Sequence, residues 1–206
     1  MVFVMSRHSL AYGELTDRTI HLCVDMQNMF ARDTPWRVAW FAQVLPKVRE
    51  IAERQPRRTI FTRFVPPARA ADAMGSWRRY FEHWRQFTGE CVDPSWIELV
   101  PPLAALVPPA SVVDKSVYSP FETPELLQML RHREADSLVI TGAETDVCVL
   151  AAVLGAVDHG YRVVLPTDAM CSVSDRTHDA LLTLYRERFG QQIETTDAAT
   201  VLAHWR

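Results

Sequence analysis

At 206 residues the chain has the length of one compact domain. Apolar residues make up 48% and charged residues 23%, ordinary soluble usage that excludes disorder, collagen and a coiled coil as descriptions of the whole. The formal charge of -3 and the scarcity of lysine (Lys47 and Lys115 alone) offer no basic surface to nucleic acid or an anionic membrane, and no glycine falls in a nucleotide-loop signature.

Short β-branched runs alternate with amphipathic stretches along the chain. The first run, 19–25, precedes a helical pattern over 36–54 in which Val38, Phe41, Leu45, Val48 and Ile51 share a face and Pro46 introduces a kink. A second run, 58–65, stops at Pro66-Pro67, and a third covers 111–115. A helix is expected over 124–133, with Pro124 in its first turn, then a strand over 137–142 and a helix over 147–159. A fifth strand, 161–165, a helix over 175–189, a short strand at 192–196 and a last helix ending near His204 complete the series. Repeated strand–helix–strand units predict a three-layer α/β/α, Rossmann-like fold with a six-stranded, mostly parallel sheet. In such folds ligands bind beyond the carboxyl ends of the strands, where the strand order switches.

Residues 70–110 interrupt this alternation within a single domain spanning 1–206. Trp77, Tyr80, Phe81, Trp84 and Phe87 recur at helical spacing there, which fits an aromatic stripe packed on the core, with a lid-like wall or a subunit contact as the alternative. The longest apolar run, 147–157, is too short for a bilayer, which needs roughly 20 residues. Residues 1–8 lack a signal-peptide pattern, so a cytoplasmic protein is expected. The four cysteines (Cys23, Cys91, Cys148, Cys171) form no C-x-x-C pair and read as reduced thiols.

Three strand ends carry groups with chemistry. Cys148 opens a helix just after the fourth run, where a helix dipole favours thiolate. Cys23 and Cys91 read as structural, and Cys171, after the fifth run, is an alternative thiol. Asp25 ends the first run, either as a turn residue or as an acid able to take and return a proton. Lys115 ends the third. Base, cation and nucleophile together suffice for covalent acyl transfer. Arg63, near the end of the second run, is a candidate to hold a substrate carboxylate or carbonyl, or else pairs with a neighbouring acid.

Asp25-Met-Gln-Asn-Met-Phe30, Lys115-Ser-Val-Tyr-Ser-Pro-Phe121 and Gly142-Ala-Glu-Thr-Asp-Val-Cys148-Val149 resemble, in that order, the D-x-Q-x-x-F, K-x-x-x-S-x-F and G-x-x-T-x-x-C-V motifs of the isochorismatase-like cysteine hydrolases; Asp168-Ala169 also fits. The resemblance spans roughly residues 18–190. It implies a triad of Asp25, Lys115 and Cys148, a cis peptide at Ala143–Glu144, an oxyanion site from the N–H groups of Glu144 and Cys148, and pocket walls from Phe30 and Tyr118. It also implies a homo-oligomer, a dimer or tetramer, acting on a small molecule.

The sequence departs from the family's nicotinamidases. Their D-x-H…H metal site has no counterpart in Phe61-Thr-Arg-Phe-Val-Pro-Pro67, so no metal and no cofactor are expected. Glu144 replaces a small apolar residue and faces either away from substrate or towards it. Retention of Cys148 points to hydrolysis of a C–N bond in a small amide, carbamoyl or ureide compound. The alternatives are a vinyl ether hydrolase of the isochorismatase type, which needs no thiol, a non-catalytic binding protein on the same fold, and a redox-sensing thiol protein, the last disfavoured by the lack of a resolving cysteine nearby in sequence.

Overall fold

The computed structural model describes residues 10–205. The leader-free reading of residues 1–8 lies outside them. Seven strands form one parallel sheet: β1 (Thr19–Val24), β2 (Thr59–Phe64), β3 (Ser111–Lys115), β4 (Ser137–Ala143), β5 (Arg162–Pro166), β6 (Met170–Cys171) and β7 (Ile193–Thr196). Their order is β3-β2-β1-β4-β5-β7, with β6 paired beside β4. The six strands expected from the sequence are all present. The seventh, β6, has two residues and is too short to leave a periodic signal.

Nine α-helices are found among the described residues. They are α1 (Asn28–Ala31), α2 (Phe41–Arg54), α3 (Ser76–His83), α4 (Pro94–Ile97), α5 (Pro101–Ala104), α6 (Pro124–His132), α7 (Cys148–Asp158), α8 (Asp175–Arg188) and α9 (Ala198–His204). Side-chain alternation along β1 builds the two cores on either side of the sheet. Ile20, Leu22 and Val24 join the layer of α6, α7 and α8, while Cys23 joins the layer of α2, α9 and the 70–110 segment. No described helix is long and apolar enough to cross a membrane.

The first long helix begins at Phe41, five residues after the expected start. Trp36 and Val38 continue the apolar period but lie in an irregular stretch, where the Val38 N–H donates to the Phe30 carbonyl at 2.9 Å. Their burial follows from packing, without helical backbone. Residues 70–110 hold short helices, and their aromatic side chains pack on the first core: Phe81 and Phe87 are buried, with Trp77, Tyr80 and Trp84 against them.

Strand order switches between β1 and β4, and the register there pairs Val24 with Gly142. Gly142 adopts φ +113, and a Cβ would stand 2.0 Å from the Val24 carbonyl oxygen. Only glycine lets the two chain ends come this close. Phe121 lies against α7 where Gly155 has no side chain; a Cβ there would meet its ring at 2.6 Å. The phenylalanine of the lysine motif thereby seats the helix that begins with Cys148.

Candidate active site

Asp25, Lys115 and Cys148 meet at the carboxyl ends of β1, β3 and β4. Asp25 follows β1 with φ +50, a left-handed conformation that Asp tolerates better than most residues. Thr62 in β2 fixes it twice. The Thr62 hydroxyl donates to Asp25 Oδ1 at 2.6 Å and accepts from the Asp25 N–H at 3.2 Å. Lys115 Nζ lies 2.7 Å from Asp25 Oδ2, 3.1 Å from the Val117 carbonyl and 3.4 Å from Cys148 Sγ. The ammonium is thus paired with the acid and donates to a carbonyl and to the sulfur.

Gln27, the glutamine of the first motif, braces this region. Its side chain accepts from the Phe64 N–H at 2.7 Å and donates to the carbonyls of Phe64 at 3.0 Å and Ile97 at 2.7 Å. The end of β1 is thus tied both to β2 and to the irregular segment.

The turn between β4 and α7 contains the cis peptide at Ala143–Glu144. The Thr145 N–H donates to the Cys171 carbonyl, and the Thr145 hydroxyl bonds His178 Nδ1 at 2.9 Å. The N–H groups of Val147 and Val149 both donate to the Glu144 carbonyl. Asp146 is held by the hydroxyls of Ser172, at 2.5 Å, and Thr177. These bonds account for the threonine of the G-x-x-T-x-x-C-V motif and for Asp146 beside it: both position the turn that presents the sulfur.

Electrostatics separates the three groups. Burial works against the Lys115 charge, but the Asp25 carboxylate and the Cys148 sulfur outweigh it and hold the ammonium above its ordinary range. The Cys148 thiol is pushed up by burial and then by the Asp25 carboxylate; Lys115 opposes both and only partly offsets them. Burial and the Asp25 carboxylate thus act against the thiolate that the helix dipole favours. Cys148 does open α7, but the sulfur is buried and the neighbouring carboxylate disfavours its ionisation, so it rests as a thiol. Cys171, the alternative thiol, is fully buried in β6, and burial pushes it up to about 12. Cys23 is likewise buried in β1.

Above the sulfur is a narrow hollow of about 50 Å³ that opens to solvent. Phe30 and Tyr118 line it, and so do Tyr80, from the stripe whose alternative reading was a lid-like wall, and two aromatic residues that the sequence did not single out, Trp36 and Phe64. Trp36 is stacked on Phe87 at 3.7 Å, so the 70–110 segment holds one wall in place. Glu144 and Val147 complete the lining beside Cys148. Glu144 faces the hollow, with one oxygen accepting the Val173 N–H at 3.0 Å.

Arg63 is not part of this lining. Its guanidinium bonds both oxygens of Asp114, at 2.7 and 2.9 Å, and Glu98 Oε2 at 2.7 Å. Successive strand residues point to opposite faces. Thr62 takes the face towards Asp25, and Arg63 is turned to neighbouring acids instead of a substrate. Asp168, the further family match, accepts the Ala198 N–H at 2.8 Å, in the first turn of α9, whose N-cap is Asp197. Among the described residues no cluster of His, Cys, Asp and Glu is arranged to hold a metal ion.

Comparison with known proteins bears on the fold and the family. Over 92 residues, 43% of each chain, it is 38% identical to isochorismatase family protein 1A of Dictyostelium discoideum. It is 26% identical to the maleamate amidohydrolase of Pseudomonas putida over 110 residues, 53% of this chain and 50% of that one. The first curated relatives are matched over less than half of their length. A cysteine hydrolase from Pseudomonas syringae pv. phaseolicola 1448A shares the fold with a TM-score of 0.77 at 22% identity, covering 91% of this chain and 92% of the other. The isochorismatase domain model matches residues 19–197, from the start of β1 to the cap of α9, and the chain belongs to the isochorismatase family.

Proposed function

We propose that this protein hydrolyses a C–N bond in a small amide, carbamoyl or ureide compound through a covalent intermediate on Cys148. The observation that carries the reading is the contact of Lys115 Nζ with both Asp25 and Cys148 at the foot of a small hollow. The likeness to an amidohydrolase supports the same bond class.

In the first half-reaction the Asp25 carboxylate takes the thiol proton as the sulfur attacks the substrate carbonyl carbon. A C–S bond forms and the carbonyl electron pair moves to oxygen, where the N–H groups of Glu144 and Cys148 receive it. The intermediate collapses, the C–N bond breaks, and Asp25 returns the proton to the departing nitrogen. In the second half, water gives a proton to Asp25 and adds to the thioester or thiocarbamate carbon. The C–S bond breaks and Asp25 reprotonates the sulfur. The Lys115 ammonium holds the carboxylate in place and offsets the negative charge that passes between oxygen and sulfur.

The test is release of ammonia or amine from a panel of amides, carbamoyl amino acids and ureides, measured for the natural protein beside Cys148→Ala. Turnover lost in the variant is the expected result. A vinyl ether hydrolase would turn over isochorismate with the sulfur removed, and a binding protein would turn over nothing.

A further inference from the structure

We infer that the hollow beside Cys148 takes a positively charged substrate, one whose ammonium or quaternary ammonium group is held between aromatic walls and the Glu144 carboxylate. For the reaction this rests on the amide-hydrolase reading above; for binding it stands alone.

Three observations carry it. The walls are aromatic: Phe30, Trp36, Phe64, Tyr80 and Tyr118 line the narrow hollow, which opens to solvent, and the Phe64 ring also faces Lys115 Nζ at 5.1 Å. These rings are held against one another, Trp36 being 6.3 Å from Phe30, 6.2 Å from Phe64 and 6.0 Å from Tyr80. Aromatic faces attract cations, and cages of this composition suit alkylated ammonium groups.

The charges in and below the hollow also leave one acid over. Asp25 and Lys115 offset each other at 2.7 Å, and Cys148 rests as a thiol. Glu144 remains. Among the described residues no lysine or arginine pairs with it, and the charged group that acts on it is a second acid, Asp146. Burial disfavours its ionised form, and a cation in the hollow would supply the missing counter-charge.

An anionic substrate has no such match. The lining contains no lysine or arginine. Lys115 beneath it is paired with Asp25 and bonded to the Val117 carbonyl and Cys148 Sγ, and Arg63 is held by Asp114 and Glu98. Tyr80 and Tyr118 are raised, chiefly by burial, and line the hollow as neutral phenols.

The test compares isosteres that differ in charge. Choline and 3,3-dimethyl-1-butanol are titrated against the full chain by tryptophan fluorescence, and betaine amide and 3,3-dimethylbutanamide are compared as substrates. The expected result is a preference of about tenfold or more for each cation. That preference should disappear in Glu144→Gln, whose amide oxygen can still accept the Val173 N–H. Tyr80→Leu, on a different element, should weaken choline binding if Glu144→Gln fails to fold. Equal or tighter binding of the neutral alcohol, or binding of neither probe, overturns the inference. Equal hydrolysis of the two amides overturns it while leaving amide hydrolysis intact. A choline preference without hydrolysis of any amide keeps the inference and removes the reaction reading.

Discussion

Lys115 Nζ stands 2.7 Å from Asp25 Oδ2 with both side chains sealed from solvent. A buried pair of this kind contributes little net stability, but removing one partner strands the other charge. Lys115→Met should therefore cost about 3–5 kcal/mol as well as activity. The double variant Asp25→Asn with Lys115→Met should recover most of that stability and none of the activity. Urea unfolding beside an ammonia-release assay measures both. A double variant as unstable as Lys115→Met would show that the pair is not the source of the loss.

Cys148 rests as a thiol because burial and the Asp25 carboxylate disfavour the thiolate. In the free protein its alkylation by iodoacetamide should be slow at neutral pH and rise as the pH is raised. Cys91, which is exposed, serves as the internal comparison. Asp25→Asn removes the repelling charge and should accelerate alkylation of Cys148 at a given pH. Peptide mass spectrometry after timed quenching resolves the two sites. A Cys148 rate that is already high and flat below neutral pH would mean a resting thiolate.

The strand ends were readable from the sequence because Asp25, Lys115 and Cys148 each follow or close a β-branched run, and because the parallel-sheet rule says where such ends converge. Trp36 gave no signal of its role. It sits in an irregular stretch and becomes a wall only by stacking on Phe87, which is distant in the chain. Thr62 was hidden in an ordinary strand pattern, although its two bonds to Asp25 set the geometry of the acid. Arg63 looked functional because it sits near a strand end. The acids that bind it, Asp114 on the neighbouring strand and Glu98 in the irregular segment, appear only once the sheet is assembled. The groups that oppose the Cys148 thiolate were hidden for a related reason. A helix dipole can be read from one element, whereas burial and a facing carboxylate need three.

Arg63→Gln tests that correction. Its carboxylate partners are partly exposed, so the variant should lose about 1 kcal/mol or less. KM and kcat for any substrate the natural protein turns over should be unchanged within error. A rise in KM of about tenfold would restore Arg63 to the binding site.

His21, buried in β1, is bonded to the hydroxyls of Thr141 at 2.8 Å and Thr59 at 3.3 Å, and burial lowers it to about 3. The folded ring stays neutral where the unfolded ring, near 6.5, takes a proton. Between those values the unfolded chain binds more protons, so stability is full above about pH 6.5 and falls as the pH drops towards 3, by up to about 1.4 kcal/mol per unit. His21→Asn removes this titration and should flatten the acid limb of the urea midpoint against pH. An unchanged acid limb would assign the loss to other groups.

The most direct test of thiol-driven hydrolysis is intact-protein mass spectrometry of the enzyme quenched in acid during turnover of its best amide, followed by peptide mapping. The account predicts an added mass equal to the acyl or carbamoyl group, located on Cys148 and absent in Cys148→Ser. Turnover that proceeds without any adduct, and persists in Cys148→Ala, would contradict it.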